Sequence, residues 1–175
     1  MDRMLIAVES SHNAKSALDY VMTNIDHERL QIHLLNVQRP IATGEISHFQ
    51  TASMISAARH AAGEEVLRPL AALLEAEGID HVCRIVLGEP ALCIARYAAS
   101  EACTSIVMST RARSAIGKVV LGSVATKVIH LTDIPVTLVK QTGSGVPALL
   151  QVAPAEERAA RRFRRMQTQD VIQGS

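Results

Sequence analysis

The feature that most constrains the fold is a regular alternation of short apolar runs with longer segments of helical periodicity. The runs are largely apolar from end to end, which is typical of strands buried on both faces of a sheet. They span residues 4–8, 32–37, 81–87, 104–108 and 134–139. We therefore predict five short strands.

Between these runs, apolar residues recur at the spacing of an α-helix, and turn residues mark the ends. Gly78 stands where a C-cap glycine would end one helix, and Pro90 stands at the first position of another. The predicted helices cover about residues 14–25, 47–77, 91–100 and 123–131. Strands that alternate with helices are joined by right-handed crossovers, so the pattern predicts an α/β domain with a parallel sheet covered on both faces.

The composition excludes several classes of protein. Among 175 residues there is no Trp, and there are only two Tyr and two Phe. Single-stranded nucleic acids bind by stacking on exposed rings, so this scarcity argues against a nucleic-acid partner, as does a net charge of +1. No apolar run is long enough to cross a bilayer, and the first residues do not resemble a signal peptide. We expect no membrane partner and a cytoplasmic location.

Motifs for catalysis and metal binding are missing from the sequence. Cys83, Cys93 and Cys103 stand ten residues apart without a CxxC motif, so we expect small buried hydrophobes rather than a zinc site or paired disulfides. The chain has no Walker loop, no GxSxG elbow and no HExxH motif. We therefore predict no catalytic residue and no metal ligand.

The chain changes character after Lys140. Residues 141–147 (QTGSGVP) have the composition of a linker. Pro154 and two glutamates then precede five arginines, an order that suits the dipole of a short helix. We predict one domain over residues 1–140 and, over 141–175, a linker with an Arg-rich helical tail. The tail is either a solvated or partly frayed appendage or a segment that docks on a protein partner, on the second subunit or on an acidic surface.

Three segments follow strand ends that a parallel sheet brings to one edge. They are Glu9 with Ser10 after strand one, Val37 with Gln38 after strand two, and the stretch from Ser109 onward after strand four. Ligands of open α/β sheets bind outside the carboxyl ends of the strands, where the winding direction reverses. The site of this chain is expected there.

The stretch STRARSAIGKVVLGSV, residues 109–124, has the chemistry of an anion site. No acidic residue occurs between Glu101 and Asp133, whereas Arg111, Arg113, Lys118 and Lys127 do. Gly122 lets a ligand approach the backbone, and the first-turn amides of a helix that starts at Ser123 lack intrahelical acceptors. The dipole contributes about 0.3–1 kcal/mol in an exposed setting. The alternative is that Ser123 only caps the helix and the basic residues are solvated.

Five spaced motifs resemble those of the universal stress protein family over most of residues 1–140. They are IAVESS at residues 6–11, Asn36-Val37, GEP at residues 88–90, the spacing of Ser109, Ala112 and Gly122-Ser123, and GSVATKVIHLTDIPVTLVK from Gly122. The resemblance implies a three-layer, Rossmann-like α/β sandwich of the adenine nucleotide alpha hydrolase type. Its five-stranded parallel sheet would have the order 3-2-1-4-5. It also implies a homodimer through the fifth strand, Ile134 to Val139, which would cover an apolar edge.

In the nucleotide-binding members of the family, matched positions hold ATP or another adenine nucleotide, with Mg²⁺ as its companion. By that resemblance, Ala7, Val8 and Glu9 lie beside adenine and ribose, with the acid on the ribose hydroxyls. Val37 presents backbone groups to the adenine edge. The phosphates are lined by Met108, Ser109, Arg111, Ala112, Gly122, Ser123, Val124 and Ala125.

The chain departs from that pattern at three positions. Glu9 replaces a shorter aspartate, and Ser109 and Ala112 replace two glycines. A side chain at a residue that needs a positive φ costs about 1–2 kcal/mol. The two missing glycines therefore bear directly on whether the loop closes around a phosphate.

Three functions compete at this level. The first is a dimeric stress-response or signalling protein that binds an adenine nucleotide without being an enzyme. The second is an interaction module that binds no nucleotide and acts through dimerisation and the Arg-rich tail. The third is a slow ATPase, for which Glu9 is the obvious acid and His12 the nearest histidine. A phospho-receiver is disfavoured, because ESS and GEP lack the acids it needs.

Overall fold

The structure is a computed structural model that describes residues 2–9, 11–25, 29–40, 51–110, 122–140 and 148–152. Its strands and helices alternate in the order expected, with one strand added at the end. The elements are β1 (Asp2–Val8), α1 (Ser11–Asn24), β2 (Leu30–Gln38), α2 (Ala52–Ala76), β3 (His81–Leu87), α3 (Pro90–Ser100), β4 (Ser105–Thr110), α4 (Ser123–Leu131), β5 (Val136–Lys140) and β6 (Ala148–Val152).

The sheet has six strands in the order β3-β2-β1-β4-β5-β6. The first five are parallel, which confirms the predicted fold class and the order 3-2-1-4-5. The sixth is antiparallel to β5 and was not anticipated, because residues 148–152 were assigned to the tail. The predicted Arg-rich helix lies outside the described residues.

Two apolar clusters fill the space between the sheet and its two helix layers. One joins α1 and α2 to the sheet through residues such as Ile6, Leu18 and Leu70. The other joins α3 and α4 to the opposite face through residues such as Leu5 and Val128. Adjacent residues of β1 enter different clusters because strand side chains alternate between faces. This double burial explains why the strands are apolar throughout.

The ends of α2 follow from local chemistry. Thr51 is the N-cap, and its side chain accepts a hydrogen bond of 3.3 Å from the amide of Met54. The predicted start at residue 47 lies outside the described residues. Gly78 follows the C-cap with φ of +69°, as expected of a glycine that ends a helix. Between these ends, α2 packs closely on β3, since a Cβ added at Gly63 would lie 2.8 Å from Cγ2 of Ile85.

The three cysteines are free thiols in the described structure. Cys103 is buried, as predicted for a small hydrophobic side chain, whereas Cys83 and Cys93 are only half-buried. Burial raises the pKa of all three thiols. None of the helices in the described segments combines the length and apolar character needed to cross a membrane.

A buried histidine interrupts the apolar interior of β2. The imidazole of His33 lies 2.9 Å from the hydroxyl of Tyr97 through Nδ1 and 3.1 Å from Oε1 of Gln31 through Nε2. Since Oε1 only accepts, Nε2 carries the proton and the Tyr97 hydroxyl donates to Nδ1. Burial lowers the pKa of His33, and the nearby Glu101 carboxylate opposes this only in part.

This arrangement predicts an acid-sensitive fold. Because the pKa of His33 is lower in the folded chain, the unfolded chain takes up the proton first as the pH falls below about 6.5. The contribution of His33 to stability is therefore complete above that pH and is lost below it. We expect the urea midpoint to fall between pH 7.5 and pH 5.5 by more in the wild type than in His33→Gln. The exposed His60→Gln is the control, and equal slopes in all three proteins would contradict the prediction.

Candidate functional site

A cleft of about 280 Å³ opens at the carboxyl ends of β1, β2 and β4. We call it the carboxyl-end cleft. Ten of the twelve residues predicted for the site line it, and the other two, Arg111 and Ala112, lie outside the described residues. The ten are Ala7, Val8, Glu9, Val37, Met108, Ser109, Gly122, Ser123, Val124 and Ala125.

Four residues that were not predicted from the sequence also line the cleft: Leu35, Arg39, Pro90 and Ile94. Each of the four has a feature in the sequence that could have identified it as part of the site. Leu35 precedes Val37 by two residues and so shares its face of β2. Arg39 immediately follows the segment that the carboxyl-end rule identified. Pro90 belongs to the GEP turn, and Ile94 lies one helical turn after it.

The cleft has an apolar floor and a polar rim. Leu35 and Met108 are buried, and Val37 is half-buried, so the floor offers aliphatic surface to a flat, weakly polar group. Glu9 and Arg39 are exposed and place opposite charges at the rim. Small-molecule sites commonly combine such a floor with a few polar groups that fix orientation.

The N-terminus of α4 faces the cleft with its first amides unused by the helix. Gly122 is the N-cap, with φ of −63° and ψ of 151°, and it makes no side-chain capping bond. The first bond of the helix runs 3.0 Å from the Thr126 amide to the Gly122 carbonyl, so the amides of Ser123, Val124 and Ala125 have no intrahelical acceptor. Ser123 is thus the first helical residue and not the N-cap.

Gly122 is not required by the backbone of the free protein. Its φ is negative, and a Cβ added there would meet no atom of the described residues within 4 Å. Other glycines are held by packing, since a Cβ at Gly88 would lie 2.5 Å from Sγ of Cys93. Gly122 directly precedes the first-turn amides of α4, so an anion that reached those amides would pass close to it.

Ser109 carries no backbone penalty. It belongs to β4, where it pairs with Val139 of β5. Of the non-glycine residues in the described segments, only Ala102 has a positive φ. The strain that a side chain would cause in a left-handed residue therefore does not arise at Ser109, and the question remains only for Ala112, outside the described residues.

A buried amide ties together the ends of β1 and β2. Asn36 is 1% exposed, and its Nδ2 donates a 2.8 Å hydrogen bond to the carbonyl of Val8. Gln38 in turn donates from Nε2 to Oδ1 of Asn36 at 2.8 Å. Because Val8 directly precedes Glu9, this bond fixes the strand end that carries the acid of the rim. In the sequence, Asn36 stands out only as part of the Asn36-Val37 motif.

Lys127 pairs with a carboxylate of the protein, whereas the sequence suggested that it was available to an anion. It was counted among the basic residues available to an anion, but its Nζ lies 3.3 Å from Oε1 of Glu89. Glu89 is the N-cap of α3, and its other carboxylate oxygen accepts a 3.0 Å hydrogen bond from the amide of Leu92. That backbone bond is the main reason why the pKa of Glu89 lies below its ordinary value. The pair joins the starts of α3 and α4 beside the cleft.

Loss of the Asn36 side chain should loosen the site without removing any rim group. In Asn36→Leu the Val8 carbonyl loses a buried donor, and we expect a loss of about 1–3 kcal/mol in the free energy of unfolding. Gln38→Leu removes a half-buried bond and should cost less than about 1 kcal/mol. Urea unfolding of both variants tests this, and equal losses would show that the bond to Val8 is not the important one.

The chain resembles known proteins both in sequence and in fold. Residues 1–140 match the sequence model of the Universal stress protein family. A comparison with curated proteins found no match. Several solved structures share the fold at low sequence identity.

A universal stress protein family protein from Arabidopsis thaliana, solved with AMP bound, is 18% identical with a TM-score of 0.62; the alignment covers 85% of this chain and 97% of that one. The universal stress protein UspA from Lactobacillus plantarum is 19% identical with a TM-score of 0.61, over 78% and 96% of the two chains. The universal stress protein from Archaeoglobus fulgidus in complex with dAMP is 20% identical with a TM-score of 0.55, over 79% and 97%.

Proposed function

The chain belongs to the universal stress protein family, and from that premise we propose that it binds an adenine nucleotide in the carboxyl-end cleft. We further propose that it acts in stress response or signalling as a binding protein rather than as an enzyme. The observation that carries the proposal is the N-terminus of α4, whose unused amides open onto a cleft with an apolar floor. Structural neighbours with bound AMP and dAMP support the choice of ligand.

In the proposed complex, each part of the nucleotide meets a matching surface. The base lies on the aliphatic floor, where Val37 offers backbone groups to its edge. The Glu9 carboxylate accepts hydrogen bonds from the ribose hydroxyls. The phosphates reach the amides of Ser123, Val124 and Ala125, where the helix dipole favours negative charge. Arg39 at the rim adds a cation that the resemblance did not supply.

A binding role agrees better than catalysis with the acids of the site. Glu9 is the acidic residue among the described lining of the cleft. Glu89 nearby is engaged as a helix cap and with Lys127. In the proposed complex, Mg²⁺ accompanies the nucleotide on its phosphates. Slow ATP hydrolysis, with Glu9 as base, is the alternative.

We include a cytoplasmic location in the proposal. The free thiols in the described structure suit a reducing compartment. We also include in the proposal a homodimer through the fifth strand, residues 134–139, in which a second copy would pair with the outer edge of β5 that β6 occupies in the single chain.

Gly122→Ala separates ligand binding from folding. The added methyl meets no described residue within 4 Å, so we expect the free energy of unfolding to change by about 1 kcal/mol or less. The same methyl obstructs the approach of a phosphate to the α4 amides. We expect calorimetric titration with ATP, ADP, AMP and cyclic AMP, with and without Mg²⁺, to show binding to the wild type and about a tenfold or greater loss in the variant.

The control is Thr51→Ala, which alters the N-cap of α2 away from the cleft. It should lower stability by about 1 kcal/mol and leave nucleotide affinity unchanged. Absence of heat and of any thermal shift at millimolar nucleotide in the wild type would refute the proposed function. Unchanged affinity in Gly122→Ala would refute the placement of the phosphates.

Glu9 predicts a preference for ribose over deoxyribose. A carboxylate that accepts the 2′-hydroxyl gains a charge-assisted hydrogen bond worth about 1.5–3 kcal/mol, or roughly tenfold or more in affinity. We expect the wild type to bind AMP more tightly than dAMP by that factor and Glu9→Gln to lose most of the difference. Glu89→Gln, which alters an acid committed to a helix cap, should keep it. A wild type without preference would show that Glu9 does not contact the ribose.

A further inference from the structure

The sheet ends at β3, and no described strand pairs with the outer edge of that strand. On its inner side β3 pairs in parallel with β2, from Ile32 opposite His81 to Gln38 opposite Leu87. Five of its seven residues are apolar, yet every residue of β3 is half-buried or exposed. An apolar edge strand that the described chain covers only in part is a template for another strand.

Every second residue of β3 points its backbone groups outward. The amide of Ile32 donates to the carbonyl of Asp80, and the amide of Gly88 donates to the carbonyl of Gln38, each at 2.9 Å. Because the backbone groups of a strand alternate between its two edges, the even-numbered residues of β3 bond to β2. The odd-numbered residues therefore present an N–H and a C=O group to the outer edge; they are His81, Cys83, Ile85 and Leu87.

A groove of about 510 Å³ lies between this open edge and α2. We call it the β3-edge groove. Its apolar wall consists of Leu67, Ala71 and Ile85, and its other lining residues are polar or ionisable: His60, Glu64, Arg68, Cys83 and Arg84. In a groove between an edge strand and a helix, an extended peptide can bond to the edge through its main chain and place alternate side chains in the groove.

The charges of the groove favour an acidic partner. Within the described segments, no carboxylate lies within ion-pair distance of Arg68 or Arg84, and both residues are exposed. Along α2, Arg68 stands between Glu64 and Glu75, and Glu75 adds to burial in raising the pKa of Cys83. The unpaired cations are thus flanked by acids. One acidic side chain between uncharged residues complements this pattern, whereas a basic side chain does not.

We propose that the β3-edge groove binds an extended segment of a partner protein, which adds to the sheet beside β3 and places an acidic side chain at Arg68 and Arg84. Its main chain bonds to the outward groups of the odd-numbered residues of β3. Its aliphatic side chains cover Leu67, Ala71 and Ile85. The groove shares no lining residue with the carboxyl-end cleft, so the proposal does not depend on nucleotide binding.

A synthetic peptide tests the proposal directly. Because the protein contains no Trp, a tryptophan in the peptide reports binding by fluorescence anisotropy without background from the protein. The probe is Ac-WGTVTETVT-NH2, in which one face of the extended chain carries the glutamate between two valines. We expect it to bind the wild type at least about tenfold more tightly than Ac-WGTVTKTVT-NH2, because only the glutamate gains charged hydrogen-bond donors.

Reversal of one charge in the groove should reverse this preference. In Arg68→Glu we expect the affinity for the glutamate probe to fall at least about tenfold and the affinity for the lysine probe to rise. Arg96→Glu is the matched control, since it changes an exposed arginine of α3 outside the groove and shifts the net charge equally. It should keep the wild-type affinities for both probes.

Two N-methylated forms of the glutamate probe test for strand addition. One form is methylated at the valine and glutamate amides and the other at the threonine amides, so each loses the donors of one edge. An added strand pairs with β3 through one edge only. We therefore expect one form to bind like the parent probe and the other to bind at least about tenfold more weakly.

Each measurement can overturn a stated part of the proposal. No binding of the glutamate probe at about 1 mM wild-type protein would overturn it entirely. Equal affinity for the two charged probes would refute an acidic partner, and equal effects of the two N-methylations would refute strand addition. Unchanged binding in Arg68→Glu would refute the site. None of these titrations contains a nucleotide, so their failure is distinct from a failure of nucleotide binding.

Discussion

The structure depends on one constraint, the burial of β1 on both faces at the centre of a parallel sheet. Leu5 and Ile6 are fully buried in different apolar clusters, so helices must cover both faces. Right-handed crossovers then require the chain to wind outward through β2 and β3 with α1 and α2 on one face. It returns through β4 and β5 with α3 and α4 on the other.

The cleft lies where the winding direction of the chain reverses, between β1 and β4. Between β1 and β4 the crossovers depart in opposite directions, so neither covers the carboxyl ends of the two strands. Residues from several distant segments meet there, including Ala7, Val37, Met108 and Gly122. The hydrogen bond from Asn36 to the Val8 carbonyl fixes one side of the opening, and the Glu89–Lys127 pair joins the helices on the other. The site therefore rests on the same geometry as the core.

Much of this could be predicted because the relevant signals are local or topological. Apolar runs of five to seven residues identify buried strands, and the carboxyl-end rule brought together residues such as Glu9 and Ser123 without knowledge of any contact. The features that were not predicted are contacts between distant residues, which the periodicity of the sequence does not indicate. Nothing near Lys127 indicates that it reaches back to Glu89, and nothing in ALLQV indicates which strand it joins. Such partners are decided by tertiary packing.

The stretch from residue 109 to 124 differs at its two ends in whether the backbone explains the residue found there. At Ser109 the missing glycine matters little for the backbone, because the residue is an extended part of β4. At Gly122 a glycine is present although neither its φ nor any neighbour among the described residues requires one. By contrast, Gly63 is required by packing, because an added Cβ would collide with the side chain of Ile85. The proposed anion at the α4 amides would supply a reason for Gly122, because a phosphate would approach on a side where no described residue lies within 4 Å of an added Cβ.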